Sequence, residues 1–356
     1  ACAAAVSATA FFCFSSCAAR AAAALCASLP EAAGAEACIS FAAAAAAAVL
    51  LSGVAVAATT LSINTALTPA DPLYKGLESF RDAVTKRTNG AIEVKLFPNS
   101  QLGSDEDVLE QARAGAPVAV VVDGGRLANF VKEFGVLGAP YLASGYDGIR
   151  KVVTSGMFDE WVTKLAKTSG HQVLSFNWWQ GERHLWTAKA VRTPADLKGN
   201  RMRTIGSPVW LSTINAMGAT ATPMPYAEVY SALEQKVIDS VEVQLPAGYN
   251  SKLFEVTKYV TKTGHISLIT GLVTSAKWFS SLPADQQKIL REEALRAGDV
   301  ASYGTRDKLA EIEKSLKAAG MTVDEIDVAP FRNATAGVYD KLGYGELRAK
   351  LQAIAK

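Results

Sequence analysis

The chain contains 356 residues, which is enough for two domains of ordinary size. Its formal net charge is +2 and charged residues make up 20%, so it does not have the basic balance of a nucleic-acid-binding protein. Alanine near the N-terminus inflates the hydrophobic fraction of 49%, and no later segment is apolar enough over sufficient length to span a membrane.

The N-terminal region has the features of an export signal. Residues 41–58 form an apolar, alanine-rich run, and Ala55–Ala57 or Val56–Ala58 fits a small-residue cleavage site. No basic residue directly precedes the run, and an uncleaved membrane anchor is the alternative interpretation. All five cysteines lie before the run, at Cys2, Cys13, Cys17, Cys26 and Cys38. The remainder of the chain therefore has no disulfide and no cysteine-based metal site.

The first predicted elements alternate between strands and helices, as in a β/α layer. Residue alternation predicts strands at 61–65 and 92–96, and a continuous apolar run predicts a buried strand at 117–122. N-cap residues and helical spacing predict helices at 71–88 and 104–114. The ends of the first and third strands place polar side chains on one rim: Asn64, Asp123 and Arg126.

The middle of the chain combines a helix, a strand and a cluster of aromatic residues. A long helix is predicted at 148–168, followed by a strand at 172–177. That strand runs into the densest aromatic segment of the chain, which begins with Trp178 and Trp179. These two side chains follow the end of a predicted strand and are candidates for a ligand-facing wall. A place in the hydrophobic core is the open alternative for each of them.

Arg203 lies in the segment that we expect to organise a binding site. Arg201–Ile205 alternates as a strand, and Ser207 followed by Pro208 marks the start of a helix. Arg203 is therefore near the carboxyl end of a strand, where open α/β sheets collect ligands. A guanidinium there can hold a carboxylate through two parallel hydrogen bonds. A surface salt bridge is the alternative role.

The C-terminal part contains the longest predicted elements. A strand at 238–243 is followed by strands at 259–263 and 265–274, the last of which is expected to cross between two parts of the protein. A helix is predicted from residue 283 to about residue 319, which is unusually long. C-terminal helices are predicted at 330–353.

Several separated motifs resemble one family of binding proteins. These motifs are Pro98–Gly103, Leu197–Pro208, Met217–Tyr230 and Leu233–Glu242. In order and spacing they resemble the solute-binding proteins of TRAP transporters (tripartite ATP-independent periplasmic transporters), the DctP-like family that captures organic acids. The resemblance implies an α/β fold of two lobes, like other periplasmic binding proteins, with a ligand cleft between the lobes and a long helix spanning both. Residues 1–38 look unlike the family, and we expect the true start codon to lie downstream of them.

The same resemblance implies lobes that are discontinuous in sequence, because the chain crosses between them more than once. The expected boundaries are 1–57 for an N-terminal extension plus signal peptide, 58–180 and 269–308 for the two parts of lobe I, and 181–268 and 309–356 for the two parts of lobe II, the last with the C-terminal helices.

The resemblance also implies roles for individual side chains. Arg203 would hold the ligand carboxylate, and Arg126 and Arg183 would add positive field or bind further oxygens. Tyr226 matches an aromatic position that packs on the bound solute. The remaining candidate ligand-binding residues are Asn64, Asp123, Trp178, Trp179, Glu242 and Gln244.

Several of these roles have structural alternatives. Asn64 and Asp123 also suit turn chemistry and helix capping, and Glu242 also suits pairing with a nearby base. Many family members carry Asn after this Glu, whereas this chain has Val243–Gln244. Either Gln244 takes the place of that Asn or one polar contact to the ligand is absent. The absence of that contact, together with the tryptophans, would favour a ligand less polar than the smallest dicarboxylates.

The sequence does not indicate catalysis. The three histidines are scattered with no carboxylate at metal-ligand spacing, and phosphate-binding glycine loops and nucleophile elbows are absent from the sequence. The resemblance therefore implies a monomeric periplasmic receptor that uses no cofactor or metal. It would bind a C4-dicarboxylate, a sialic-acid-like sugar, a keto acid or an aromatic acid, and deliver it to the small and large membrane subunits of a TRAP transporter. The alternatives are a ligand-sensing subunit for a signalling receptor and an enzyme on a similar two-lobed fold.

Overall fold

The structure, a computed structural model, describes residues 58–356. The predictions for the signal peptide, its cleavage site and the membrane anchor fall outside those residues. Across the described range, no helix has both the length and the apolar character needed to cross a membrane. The strands of this range form one mixed sheet: β1 Thr59–Asn64, β2 Ile92–Phe97, β3 Val118–Asp123, β4 His171–Thr187, β5 Arg201–Thr204, β6 Thr220–Pro223, β7 Ser240–Gln244, β8 Tyr259–Ser275 and β9 Thr322–Asp324.

Helices connect and cover these strands. The α-helices of residues 58–356 are α1 Pro72–Arg87, α2 Asp105–Arg113, α3 Gly124–Leu127, α4 Gly145–Val153, α5 Gly156–Ser169, α6 Pro208–Ala216, α7 Val229–Glu234, α8 Leu245–Asn250, α9 Ala276–Ser281, α10 Ala284–Ala318, α11 Ala329–Thr335, α12 Val338–Leu342 and α13 Gly345–Ala355. Short 3-10 helices lie at Lys132–Gly138, Pro194–Leu197, Tyr226–Glu228 and Leu253–Glu255.

The sheet consists of two parallel groups joined by two long antiparallel strands. The strand order is β2-β1-β3-β8-β4-β7-β5-β6, and β9 pairs with β8. Strands β1, β2 and β3 are parallel to one another, and we call them the first half. Strands β5, β6 and β7 are also mutually parallel, and we call them the second half. Between the halves, β4 and β8 pair with each other, and each contains 17 residues.

The first strand–helix–strand–helix–strand unit is confirmed, because its local signals are strong. The Asp71 side chain accepts a backbone hydrogen bond at the N-terminus of α1. After the C-terminus of α1, Asn89 and Gly90 adopt left-handed conformations, with φ of 50° and 79°, so the helix cannot continue. Ser104 and Asp107 form a capping box at the start of α2. Because β1 and β3 pair in parallel, their carboxyl ends lie at the same edge of the sheet.

The long strands extend beyond their sequence signals. The strand predicted at 172–177 continues to Thr187, and the strands predicted at 259–263 and 265–274 are a single strand, β8. Their pairing contains register shifts, one of them beside Gly181, which has a φ of 106°. Each strand supplies the other with hydrogen-bonding partners, so residues without a local strand pattern still adopt extended conformation.

The single helix predicted at 148–168 is wrong, since the structure has two helices, α4 and α5. The break falls at Thr154 and Ser155. The Ser155 hydroxyl accepts a hydrogen bond from the backbone N–H of Phe158 at 3.4 Å and so begins a new helix. A serine side chain competes with the helical backbone for hydrogen bonds, so Ser155 favours a break between the two helices over one continuous helix.

The long helix predicted at 283–319 is confirmed as α10, which has 35 residues. It packs on α1 and β4. The contact with α1 is close, because a Cβ atom on Gly76 would lie 2.6 Å from the Cβ atom of Ala301. The guanidinium of Arg150 in α4 donates two hydrogen bonds, of 2.7 and 2.8 Å, to the Asp299 carboxylate in α10. The helix is thereby tied to the long strands and to the elements around them.

Apolar side chains are buried on both faces of the sheet. Alternate residues of β3 belong to two different apolar clusters, Ala119 and Val121 to one and Val118, Val120 and Val122 to the other. This confirms the prediction of a strand covered on both faces. The second cluster also receives Leu351 of α13, and α13 packs against α4. The expected lobe boundaries, which assign 309–356 to lobe II, stay a prediction.

Candidate functional site

A cavity lies between the first and second halves of the sheet. The centre of a water molecule can occupy about 60 Å³ of this cavity. That volume has room for about four to six water-sized groups. Residues at or just beyond the carboxyl ends of four strands line it: Thr65 after β1, Asp123 in β3, Ile205 after β5 and Gln244 in β7. This is the location where open α/β sheets bind ligands.

Arg203 of β5 lines the cavity and is 2% exposed. Its strand is held on both sides, since Arg203 pairs with Thr222 of β6 and Val241 of β7. Its Nε and Nη2 atoms donate hydrogen bonds of 3.0 and 2.9 Å to the Met224 carbonyl oxygen. Burial, together with the neighbouring charge of Arg183, lowers its pKa to about 10. Among the described residues, no carboxylate forms an ion pair with Arg203, so this guanidinium is a buried cation without a protein counterion.

Tyr226 packs beside this guanidinium. The Arg203 guanidinium carbon lies 5.4 Å from the centre of the Tyr226 ring. The Tyr226 hydroxyl lies 3.1 Å from the Ser251 hydroxyl, with which it forms a hydrogen bond, and burial raises its pKa to about 12. The ring therefore forms a neutral wall of the cavity.

Arg183 of β4 also lines the cavity, but it has a counterion. Its Nε and Nη2 atoms donate to the two carboxylate oxygens of Glu242, the second at 2.8 Å. Its Nη1 atom donates to the side-chain oxygen of Gln244 at 3.1 Å, and the guanidinium packs over the Trp210 ring at 4.8 Å. Arg183 is therefore held rigidly and its charge is balanced.

Glu242 lies behind Arg183 rather than in the cavity. It is 0% exposed and also accepts a hydrogen bond of 2.7 Å from the Thr204 hydroxyl. Burial alone would raise its pKa, but the charge of Arg183 and the nearby His265 outweigh that effect and lower it to about 2. We therefore assign Glu242 as a residue that positions Arg183, which is the pairing role that the sequence left open.

Arg126 is the third cavity-lining arginine, and acidic residues surround it. Its Nη1 and Nε atoms donate to Asp123 at 2.5 Å and to Glu106 at 2.7 Å, and its Nη2 atom lies 3.3 Å from Asp105. Burial alone would lower its pKa, but the three carboxylates raise it above the usual range. Arg126 is thus neutralised by the protein, and Arg203 is the surplus cation among these three.

Asp105, the first residue of α2, was not predicted as a site residue, and it lines the cavity. Its Oδ1 atom is buried and has no hydrogen-bonding partner among the described residues. Burial raises its pKa to about 6, although the charge of Arg126 opposes that effect. An acid in the first turn of a helix is normally favoured by the helix dipole, and no local pattern distinguishes a buried first-turn acid from an exposed one.

The structure does not bring every predicted residue to the cavity. Trp178 and Trp179 are core residues, and their indole N–H groups donate to Ser175 and Ser267, each at 2.8 Å. Asn64 is also buried, and its amide group holds the Leu102–Gly103 turn by hydrogen bonds to its backbone. These are the core and turn alternatives given above. Successive side chains on a strand point to opposite faces, so Trp178 packs into one apolar cluster and Trp179 into the other.

Three other polar residues that line the cavity were not predicted from the sequence: Thr65, Gln180 and Thr270. The Gln180 amide donates to Thr270 at 3.3 Å and accepts from the Gln244 amide at 2.6 Å. Gln180 follows the two tryptophans directly, and its polar character within an aromatic run was an available signal. Within the described residues, no group of histidine, cysteine or acidic side chains could hold a metal ion.

Comparison with known proteins places this geometry in context. Residues 63–345 match the model of a family described as bacterial extracellular solute-binding protein, family 7 (DctP). A periplasmic TRAP solute-binding protein from Escherichia fergusonii is 45% identical, with a TM-score of 0.73, covering 83% of this chain and 100% of that one. One from Ochrobacterium anthropi with bound L-fuconate is 34% identical, with a TM-score of 0.81, covering 84% and 100%. The 2,3-diketo-L-gulonate-binding periplasmic protein YiaO of Escherichia coli is 29% identical over 78% of this chain and 84% of its own length.

Proposed function

Because the chain belongs to the DctP family of bacterial extracellular solute-binding proteins, we propose that it captures a carboxylate-bearing organic acid in this cavity for a TRAP transporter. Family members are periplasmic receptors and not enzymes, and their solved structures have the two-lobed α/β fold. The observation that carries the assignment of the site is Arg203, a buried guanidinium that has no carboxylate partner among the described residues.

A ligand carboxylate would serve as the missing counterion of Arg203. Two of its nitrogens already donate to one carbonyl oxygen, so the guanidinium is held in a fixed orientation before the ligand arrives. A buried charge without a partner is costly, and a carboxylate placed beside it removes that cost while paying its own desolvation. Arg183 and Arg126 have their charges balanced by protein carboxylates. They would shape the site and add to the positive electrostatic potential at the ligand. Tyr226 would wall it.

The cavity has room for fewer groups than a six-carbon acid contains, so the two lobes would have to open to admit the ligand and then close around it. Strands β4 and β8 lie between the two halves of the sheet whose strand ends line the cavity. Binding to both sides would favour the closed arrangement, which the membrane subunits would then recognise. Export to the periplasm through the N-terminal signal and action as a monomer are part of this proposal.

The names of the similar proteins suggest which acids to test first. Two of them refer to six-carbon sugar acids, 2,3-diketo-L-gulonate and L-fuconate. The aromatic acids considered from the sequence lose their main support, because the tryptophans expected at the cavity wall lie in the core.

Calorimetric titration of the purified chain with a panel of sugar acids, C4-dicarboxylates, sialic acid and keto acids tests the proposal. For an acid that binds, Arg203→Ala should lower the affinity roughly thirtyfold to several thousandfold. The affinity of Arg203→Lys should lie between those of the wild type and Arg203→Ala, because lysine keeps the positive charge but lacks the forked guanidinium geometry.

The matched control is Arg201→Ala. Arg201 is two residues away on the same strand, but its exposed side chain pairs with Asp239 on the surface, so binding should be unchanged. Equal losses in the Arg201 and Arg203 variants, or no loss in either, would remove Arg203 from the site. Mass spectrometry of the acid after incubation should recover it unchanged, as a receptor requires.

A further inference from the structure

We propose that Trp210 is a latch that joins the two halves of the sheet in the closed arrangement and sets how long a bound ligand is retained. The latch consists of the Trp210 indole, which comes from the side of the second half, and of Asp123, Gly125 and Gly138 on the side of the first half. The inference rests on the proposed function, since it requires a ligand that is captured between the halves.

Helix α6 follows a strand of the second half but contributes to the core of both halves. It comes shortly after β5, and its Ile214 lies in the apolar cluster that contains Met202 of that strand. Val209 and Trp210, in the first turn of α6, lie instead in the cluster that contains Val120 of β3. The first turn of α6 therefore reaches across from the second half and is buried against the first half.

Two glycines form the seat of the indole. A Cβ atom on Gly125 would lie 2.3 Å from Trp210 Nε1 and 2.6 Å from Ser207 Oγ, and a Cβ atom on Gly138 would lie 3.2 Å from Trp210 Nε1. Gly125 lies in α3, which directly follows β3. A side chain at position 125 would occupy the space of the indole, so glycine at this position is what lets α3 and α6 meet.

The indole also contacts two charged side chains that line the cavity. Its N–H group donates a hydrogen bond to Asp123 Oδ1 at 3.1 Å, and the Arg183 guanidinium carbon lies 4.8 Å from the ring centre. Asp123 comes from β3 of the first half, whereas Arg183 comes from β4, which lies between the halves. Trp210 is fully buried behind these two residues. It is therefore a positioning residue that affects the ligand through them.

Separation of the two halves would break all of these contacts together. The indole would lose its hydrogen bond to a charged group, and a large apolar ring would come into contact with water. Both losses accompany opening, which a bound ligand requires in order to leave. We therefore expect the latch to control the rate constant of ligand release much more than the rate constant of association.

Surface plasmon resonance of the immobilised chain measures the rate constants of association and release separately. The probe is L-fuconate or, if L-fuconate does not bind, the acid of the calorimetric panel that binds most tightly. Trp210→Phe keeps an aromatic ring but removes the N–H donor. Release should become about tenfold to a hundredfold faster, the range of a hydrogen bond to a charged group, while association should change by less than about threefold.

Gly125→Ala tests the seat from the opposite side without altering Trp210. The added methyl group would clash with the indole, so release should again become faster, by about fivefold to a hundredfold. In Trp210→Ala the seat is empty, so addition of Gly125→Ala to that variant should change the release rate by less than about twofold. Two changes that merely destabilised their own helices would instead have additive effects.

Trp179→Phe is the matched control. Trp179 is also buried, and its indole N–H group also donates to a side chain, that of Ser267 at 2.8 Å. Both of these residues lie in the long strands between the halves, so their contact does not depend on closure. The release rate of this variant should stay within about twofold of the wild-type rate. Urea unfolding of each variant establishes that it is folded.

Three results would overturn the inference. These are release from Trp210→Phe or Gly125→Ala that is as slow as from the wild type, a loss of affinity in those variants that comes from association alone, and an equal acceleration of release in Trp179→Phe. In each case the receptor function would stand as long as Arg203→Ala still weakens binding. If the wild-type protein binds none of the acids in the calorimetric panel, the proposed function itself fails, and the assignment of the latch fails with it.

Discussion

Substitution of Glu242 by glutamine probes the buried ion pair behind the cavity. Glu242 is fully buried, accepts two hydrogen bonds from the Arg183 guanidinium and one from Thr204, and lies 3.5 Å from the His265 ring. Glutamine has nearly the same volume, so the change removes the charge without leaving a cavity. Arg183 would then be a buried cation with no counterion.

Two estimates of the magnitude agree. Removal of one partner from a buried ion pair costs about 3–5 kcal/mol. Independently, Glu242 has a pKa of about 2 against an ordinary value of 4.5, and this difference corresponds to about 3 kcal/mol of stability. Because the folded pKa is the lower one, the stabilisation is present at neutral pH and is lost as the pH falls from about 4.5 toward 2.

Urea unfolding at pH 7 measures the effect. We expect Glu242→Gln to lower the free energy of unfolding by about 3–5 kcal/mol. Glu93→Gln is the control, since Glu93 is exposed and its contact with Lys95 is 3.6 Å long; its effect should stay within about 0.5 kcal/mol. The difference between wild type and Glu242→Gln should shrink as the pH is lowered below 4.5. A loss below about 1 kcal/mol at pH 7, or a gap that acid does not reduce, would refute this account of the pair.

Three further changes test the placement of individual side chains. Trp179→Phe removes an indole N–H that donates to Ser267 at 2.8 Å, so we expect the free energy of unfolding to fall by about 1 kcal/mol with no change in ligand Kd; weaker binding in calorimetry would place the ring at the cavity. Gly271→Ala would press a methyl group into the Phe176 ring and should cost about 1–3 kcal/mol in urea unfolding, whereas a negligible loss would mean that the ring yields easily. Burial raises the pKa of Asp71 from 3.8 to about 6, so the native state holds the proton longer than the unfolded chain and stability falls as the pH rises from about 4 to 6. Asp71→Asn keeps a good N-cap and should remove up to about 3 kcal/mol of that fall, and an unaltered slope would contradict the assigned cause.

The elements that the sequence predicted well are those whose signals are local. The period-two pattern of Ile92–Phe97, the capping box at Ser104 and the left-handed residues after α1 each involve neighbours within a few positions. The same holds for Arg203, whose place at the end of a strand follows from the alternation before it and the Ser-Pro helix start after it. Such features depend on backbone conformation and side-chain period, which nearby residues determine.

Other features depended on contacts between distant parts of the chain. Strand β4 continues through the aromatic cluster because β8 and β7 pair with it, and no local pattern records those partners. The fate of Trp178 was likewise open in the sequence, since an indole suits a ligand wall as well as a core. In the structure, α1 and α10 pack around Trp178 and place its indole in the hydrophobic core.

The sequence alone therefore determined the layered α/β class, the caps and most strand positions, and it placed Arg126 and Arg203 at strand ends or the turns that follow them, while the family resemblance added Arg183. It could not determine which of the three was free to bind a ligand, because the partners of Arg183 and Arg126 come from other elements. Glu242 is 59 residues from Arg183, and Glu106 is 20 residues from Arg126. Only the tertiary structure brings these carboxylates into contact and leaves Arg203 without one, since charge balance in a buried site is set by distance in space and not by distance along the chain.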